Sequence, residues 1–520
     1  MRCVSCRADR SRLVARTQSA VRRGELGGKL ALAQVCVLLA CLPSGARQDG
    51  LQVSVAPSGA QQDSLLVSLE QAVGMAQERH LGLRSARLGT QVQERAVAQE
   101  ELRFGRNLNA SVSHLSTRSP SISRLEQVET STSNGQSVGL GLSQQLATGG
   151  SLSLDFRSNR SSSNAAFRLL DPVYQSDLAL RYSQPLLQGR GRINRTGLEV
   201  ARHSLDASRI AADGQARELE GQVGQAYWAL FLARAQRQLR EQLLAGAQRV
   251  LESVRVRAEL GAGARSSILE AQVGVAQREE EVVAAQGSLR QAEDQLKVLV
   301  GLDQEPGRWD VDLVPSQGPE LSRFSGQVEE GVARAVERDP AYQQAELGLK
   351  SLDLQTALAQ DQARPAVSLN AQAGLSGIGA TYADNLEVVR DARGRSWQGG
   401  LALEFPLGRT PAQERVQQLR LQQQQRRLDL EQRRLQLAQQ VRTQHRQVGI
   451  SRQREGAAGW TERLAMQNVQ DEEERLGLGL STVRQVLDAQ DALAQARLSR
   501  LQALVDYNNA LLEWKRLTGE

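Results

Sequence analysis

The chain has 520 residues and a formal charge of +6, yet only 3% of it is aromatic, and Ala, Gln, Leu and Arg crowd the stretches that lack proline. That composition suits long helices rather than a large compact core. Residues 1–40 hold eight Arg or Lys against two acids, which is the whole excess; the remaining body is close to neutral and offers no basic face for nucleic acid.

The basic start runs into the apolar segment Leu30 to Leu42, which reads as a secretory signal and is too short to span a membrane. Export is expected, with residues 1–40 removed and 41–66 left as an N-terminal linker. Cys3, Cys6, Cys36 and Cys41 all lie in or at the edge of this segment, so the mature body has neither an internal disulfide nor a thiol nucleophile. Two processing routes are open. Leu38-Leu39-Ala40-Cys41 resembles a bacterial lipobox, which would leave Cys41 as an acylated first residue, whereas Ser44-Gly45-Ala46 offers ordinary cleavage.

From there the chain states one plan twice. Leu69-Glu70-Gln71-Ala72, Ala76, Glu78-Arg79, Ala86 and Leu88-Gly89 are matched without a gap by Val328-Glu329-Glu330-Gly331, Ala335, Glu337-Arg338, Ala345 and Leu347-Gly348. Further on, Gly261 and Ile268-Leu269-Glu270-Ala271-Gln272 recur in register as Gly479 and Val486-Leu487-Asp488-Ala489-Gln490. A repeat of this length defines architecture: a first copy at 67–301, a linker at 302–323 and a second copy at 324–520.

Each opening helix gives way to strands of period two. In the first copy these fall at about 108–184: Leu108, Ala110, Val112; Val138, Leu140, Leu142; Leu152, Leu154, Phe156; and Leu178, Leu180, Tyr182 each alternate with small or polar residues. In the second they fall at about 366–406, with Val367, Leu369, Ala371 and then Trp397, Leu401, Leu403, Phe405. The first copy carries some forty more residues here, among them the turn Ala147-Thr148-Gly149-Gly150 and a Ser-rich run, which read as an added hairpin. One apolar and one wet face suit a closed membrane barrel or a soluble sandwich. The export signal, and too few strands per copy to bury a core alone, favour the barrel, for which one chain is not enough.

No proline lies between Pro185 and Pro306 or after Pro411, which leaves room for helical hairpins at about 193–301 and 411–518. Their outgoing helices of about 65 residues would each reach roughly 100 Å. Coiled-coil seams appear at Leu289, Ala292, Leu296, Leu299, at Leu498, Leu501, Val505, Asn508, Leu512, and as a strict seven at Leu421, Leu428, Leu435. Each hairpin turns at a glycine corner, Leu260-Gly261-Ala262-Gly263 and Leu476-Gly477-Leu478-Gly479, with Ser266-Ser267 and Ser481-Thr482 as candidate caps for the return helices.

Taken together, the paired openings at Glu70 and Glu329, the strand exits Ser183-Gln184-Pro185-Leu186 and Glu404-Phe405-Pro406-Leu407, and the matched tip segments resemble the TolC-like outer-membrane efflux family over nearly the whole mature chain. The resemblance implies a mainly helical chain with membrane strands, building a trimeric outer-membrane β-barrel continued by a periplasmic α-helical barrel. It implies a homotrimer serving a tripartite efflux or type I secretion system, whose partners are outer-membrane lipid, a periplasmic adaptor and an inner-membrane transporter of RND, ABC or MFS type. The corners would then be the entrance and adaptor dock, through Leu260, Gly261, Gly263, Leu269 and Gln272 in one copy and Leu478, Gly479, Leu487 and Gln490 in the other. Relatives narrow the entrance with acidic rings; Asp488 matches one such position, while Gln485 stands where a second acid is common.

No catalytic or cofactor motif appears: His80, His114, His203 and His445 lack metal spacing, and the glycine run after Leu260 lacks a phosphate-loop lysine. The rival readings are a periplasmic adaptor, which should carry one hairpin between split β halves rather than two, and a structural coiled-coil protein of the envelope, against which the amphipathic strands argue.

Overall fold

A computed structural model describes residues 64–120, 128–166, 168–259, 265–304 and 307–520. The duplicated plan is its organising feature. In the first repeat, β1 (Ser64–Val67), α1 (Leu69–Arg79) and α2 (Leu81–Leu102) lead into β2 (Arg106–Pro120), β3 (Thr130–Gln145), β4 (Ser151–Ser163) and β5 (Val173–Pro185), then α3 (Thr196–Glu259) and α4 (Arg265–Val300). The second repeat runs β6 (Asp312–Pro315), α5 (Val328–Arg338), α6 (Pro340–Gln362), β7 (Ala366–Gly379), α7 (Tyr382–Arg390), β8 (Gly394–Glu404), α8 (Pro411–Gly477) and α9 (Val483–Thr518).

Local chemistry sets the boundaries. Ser68, Thr410 and Thr482 each close a capping box with the Gln three residues on, and Asp339 caps α6 with Pro340 at its first position. Such caps satisfy backbone amides that would otherwise lack partners, at about 1 kcal/mol each. With no internal proline, α3 and α8 run for 64 and 67 residues, about 100 Å each. Of the expected return-helix caps, Thr482 does cap α9, but α4 begins at Arg265, so Ser266 and Ser267 lie inside its first turn. The first strand begins at Arg106 rather than near 108, after a tight turn in which the Gly105 amide donates to the Leu102 carbonyl.

Segments expected only as linkers do more than link. Ser64–Val67 and Asp312–Pro315 pair as parallel strands, and the pair sits against the long hairpin. The core beneath it gathers Val67, Leu83, Val223, Tyr227, Leu230, Leu296, Leu302 and Leu313, all buried. The Tyr227 hydroxyl, within 3.2 Å of the Val67 carbonyl, also accepts from the Gln317 amide at 3.1 Å, so one buried phenol fastens α3 to both connecting segments. The second repeat has its own core of Ala335, Val441, Val448, Tyr507, Ala510 and Trp514. There Gly331 stands where the first repeat has Ala72, because a Cβ at Gly331 would lie 2.6 Å from the Trp514 ring.

Strands of both repeats merge into one antiparallel meander of six, in the order β2-β3-β4-β5-β7-β8. The extra first-repeat residues therefore do supply a hairpin, and it joins the sheet. No second sheet packs on this one among the described residues, which removes the sandwich. Sequence reading also missed α7, inserted between β7 and β8.

Candidate functional site

The sheet and the hairpin tips are the two ends of the molecule with chemistry to offer. In the sheet, register decides the faces. Leu108, Leu142, Leu154, Leu180, Ala373 and Trp397 are successive cross-strand partners, so every strand adds an apolar side chain to one row. The neighbouring row Ala110, Leu140, Phe156, Leu178, Leu375 repeats this on the same face. Apart from the half-buried Phe156, Leu178 and Leu375, these side chains are exposed in the single chain, an unpartnered apolar surface far too continuous for contact with water.

The opposite face is polar and concave. Asn109, Asp155, Arg157, Asp177, Arg181 and Gln372 line a hollow of about 310 Å³ there. Arg181 Nη1 sits 2.6 Å from Asp155, and its Nε donates to Gln372 at 3.2 Å. A sheet of this kind presents a greasy outside and a wet inside. Its two edges are open: β2 and β8 each have a neighbour on one side only, leaving 15- and 11-residue strands with free backbone groups.

At the other end, Leu260, Gly261 and Gly263 lie outside the described residues, but the second corner is visible. Gly479 takes a left-handed φ of 75°, and the Leu480 amide reaches back to the Arg475 carbonyl at 2.8 Å, closing the helix end as glycine permits. Leu478 and Leu480 stand exposed beyond it. Ser481 donates to Glu472, which also accepts from Arg475 at 3.0 Å; the serine bond first, and then the arginine, holds the Glu472 carboxyl below its ordinary range.

The expected tip residues divide into two kinds. Leu269, Gln272, Gln485 and Asp488 are exposed. Leu487 instead packs partly into a small core with Leu251, Val254, Ala271 and Val483 that joins the two hairpins, and Gln490 donates to Glu473 at 3.0 Å. Gln485 has a structural duty: its side chain accepts from the Thr482 amide at 2.9 Å as half of the capping box. Asp488 lies 3.9 Å from Arg484 and borders a groove of about 420 Å³ between α4 and α9, together with Leu269, Val273, Arg278 and Asp491. Sequence reading passed over Arg278 and Asp491, which carry no motif and meet only because two repeats are folded side by side. Arg257 adds a second link, donating to the Leu476 carbonyl at 3.4 Å.

A helical hairpin pair about 100 Å long ending in an amphipathic, open-edged sheet defines the fold of the TolC-like outer-membrane channels. Residues 151–302 match the family described as outer membrane efflux protein, and the resemblance read from the sequence is borne out. Among solved structures, the chain is similar to the CmeC outer membrane channel of Campylobacter jejuni (12% identity, TM-score 0.67, covering 92% of this chain and 94% of that one). It is likewise similar to the outer membrane protein VceC of Vibrio cholerae (16%, 0.64, 87% and 96%) and to the open state of the MtrE outer membrane channel of Neisseria gonorrhoeae (17%, 0.62, 91% and 97%). At these identities the likeness is one of fold. No curated protein matches the chain in sequence.

Proposed function

We propose that this chain is the outer-membrane channel of a tripartite efflux or type I secretion system, a homotrimer giving passive exit to substrates that an inner-membrane transporter of RND, ABC or MFS type delivers through a periplasmic adaptor. The observation that carries the reading is the six-stranded sheet, apolar outside, polar inside and unpaired at both edges, set at the end of the long helices. Among the described residues no helix is long and apolar enough to cross a membrane, so a membrane-embedded part must be a closed barrel. Pairing β8 of one copy with β2 of the next removes the open edges, and three copies would make a wall of about eighteen strands, wide enough for an aqueous channel.

The helices support the same assembly. Leu421, Leu428 and Leu435, the strict heptad on α8, are 66%, 72% and 63% exposed, whereas Val416, Leu419, Leu437, Val441 and Val448 on its other side are buried. A heptad seam left bare in one copy calls for a helix of another. No step of this reading needs catalysis. Removal of the signal segment and acylation of Cys41, which lies outside the described residues, complete the proposal; mass spectrometry of the mature N-terminus would read a start at Cys41 or after Ala46.

The corner at Gly479, at the far end of the long helices from the sheet, and its sequence counterpart at Gly261 are assigned to the adaptor. Gly261→Arg and Gly479→Arg should abolish export while trimers still assemble in the outer membrane, and Gly479→Asn, which tolerates the left-handed backbone, should keep both. Normal export by the arginine variants would remove the docking assignment. A monodisperse monomer, soluble without detergent, would remove the channel itself.

A further inference from the structure

Next to the sheet, four helices stand in one row: α2 against α3, α3 against α6 and α6 against α8. The ends of that row coincide with the edges of the sheet, because α2 runs into edge strand β2 and α8 follows edge strand β8. Each end helix has one side occupied by its own chain. On α2, Leu83 is buried, and Glu94 and Glu101 accept from Arg209 and Arg202 of α3, both at 3.0 Å. On α8, Val416 and Leu419 pack with Ala359 of α6, and Arg433 reaches Asp339 at 3.1 Å.

The far side of α2 is bare and patterned like that of α8. Leu81, Ser85, Leu88, Val92, Arg95, Gln99 and Leu102 alternate at four and three and are all exposed, the spacing of a coiled-coil seam. Among them Leu81, Leu88, Val92 and Leu102 are 59%, 60%, 64% and 75% exposed. At 3.6 residues per turn this stripe lies diametrically opposite the side that holds α3. Leu421, Leu428 and Leu435 are likewise opposite the side of α8 that holds α6. Within one chain the two stripes never meet, since α3 and α6 separate their helices by roughly 25–30 Å.

Polar contacts across the row fix the relative heights of the stripes. Thr90 Oγ1 lies 3.4 Å from Ser208 Oγ, His203 Nδ1 lies 3.2 Å from Ser351 Oγ, and Gln423 donates to Asp353 at 2.8 Å. Successive helices of the row are antiparallel, so carrying a level across these rungs takes Leu428 to Gly348 on α6, Asp206 on α3 and Val92 on α2. The two apolar stripes therefore stand at the same height.

We propose that the bare stripe of α2 is the docking surface for α8 of a second copy of this chain, in an antiparallel seam with Leu428 seated beside Val92. This rests on the homotrimeric channel reading, in which pairing β8 with β2 of the next copy sets α8 beside the α2 that leads into that β2. Each α8 leucine then enters a hole of α2, the arrangement of packed helical seams: Leu435 between Leu81 and Leu88, Leu428 between Leu88 and Arg95, and Leu421 between Arg95 and Leu102. Arg95, the one charge in the stripe, falls level with Gln425, whose amide oxygen can accept from it. A single polar layer of this kind fixes register.

The test uses the full chain in isolated outer membranes. On either processing route the exported protein keeps no free thiol, Cys41 being acylated or removed. The pair Val92→Cys/Leu428→Cys, oxidised with copper phenanthroline, should give two and three joined chains and nothing larger on a non-reducing denaturing gel. Replacing the first site by Ser85→Cys or Gln99→Cys moves the thiol about 10 Å along α2, past the Cα separation of about 7 Å that a disulfide spans, and should cut the joined fraction at least fivefold. Each single variant should stay unjoined. All four positions are exposed in the single chain, so each protomer keeps its own packing, and native mass spectrometry in detergent counts the copies in every variant. Trimers in which the Val92 pair stays unjoined would give the seam to another helix or a different protein. Joining as readily through Ser85 or Gln99 would break the register. Either result overturns this seam and leaves the channel standing, whereas a monomeric parent protein would overturn both.

Discussion

Arg278 of α4 extends its Nη2 to within 2.8 Å of the Asp491 carboxylate of α9, so a residue of the first repeat is paired with one of the second beside the tip. The same guanidinium nitrogen reaches the Leu487 carbonyl at 3.4 Å, and the arginine side chain is almost wholly buried while Asp491 is half in solvent. Removing the acid strands a buried charge, and removing the arginine only releases a half-hydrated acid. Asp491→Asn should therefore loosen the tip more than Arg278→Met, by about 1–3 kcal/mol. Hydrogen exchange of residues 265–280 and 483–495 measures this, and the double variant should lie close to Arg278→Met alone rather than at the sum.

The bare heptad on α8 gives a second expectation. Changing Leu421, Leu428 and Leu435 to serine leaves the buried side of the helix untouched, so each protomer should fold. Each leucine covered by a neighbouring copy is worth roughly 1.5 kcal/mol or more, so three per protomer should shift a detergent-stable trimer to monomer at micromolar concentration. Native mass spectrometry in detergent distinguishes the two. An unchanged trimer would show that the seam faces something other than another copy.

Much of this architecture was legible in the sequence because repetition and periodicity survive without a partner. The matched openings reappear as α1–α2 and α5–α6 in the same register, and the proline-free stretches as hairpins. What escaped depends on contacts between distant segments. Arg278 and Asp491 are ordinary helix-surface residues until the two hairpins are side by side, and the connecting strands β1 and β6 are four residues each, too short for alternation to speak. Helix α7 had a local signal, Thr381-Tyr382-Ala383-Asp384, in which Thr381 does accept from the Asp384 amide at 3.3 Å; nine residues inside a strand region hid it. Gln485 was read by its position in a resembling family, and its capping duty became visible only with coordinates.

Opposite faces of one strand provide a third test. Leu142 and Ser143 are neighbours on β3, the first in the outward apolar row and the second on the opposite, polar face, paired with Asn107 and Ser153. An arginine at Leu142 in a membrane-embedded wall should cost about 2–4 kcal/mol, whereas an arginine at Ser143 meets water and should cost little. The fraction of protein that inserts into vesicles and resists protease should fall for Leu142→Arg and hold for Ser143→Arg. Equal behaviour would mean that the outward face does not meet lipid.

The corner at Gly479 should respond to acid through Glu472. Its carboxylate accepts from Ser481 and from Arg475, and these contacts lower its pKa below the ordinary value, the serine bond contributing most. A carboxyl whose pKa is lower when folded stabilises the folded form above the unfolded pKa of about 4.3, and that contribution falls away as the pH drops through the folded value. The Thr482–Gln485 capping box has no group that titrates, so the loss should be local to the turn between α8 and α9 rather than a general unfolding. A nitroxide at Leu480, exposed beside Ser481, should be slow near pH 7 and gain mobility only as the pH falls below the ordinary glutamate range. In Glu472→Gln the label should be mobile at neutral pH already and should change little on acidification. If the wild-type label shows no transition while the helices remain intact, Glu472 does not hold the corner.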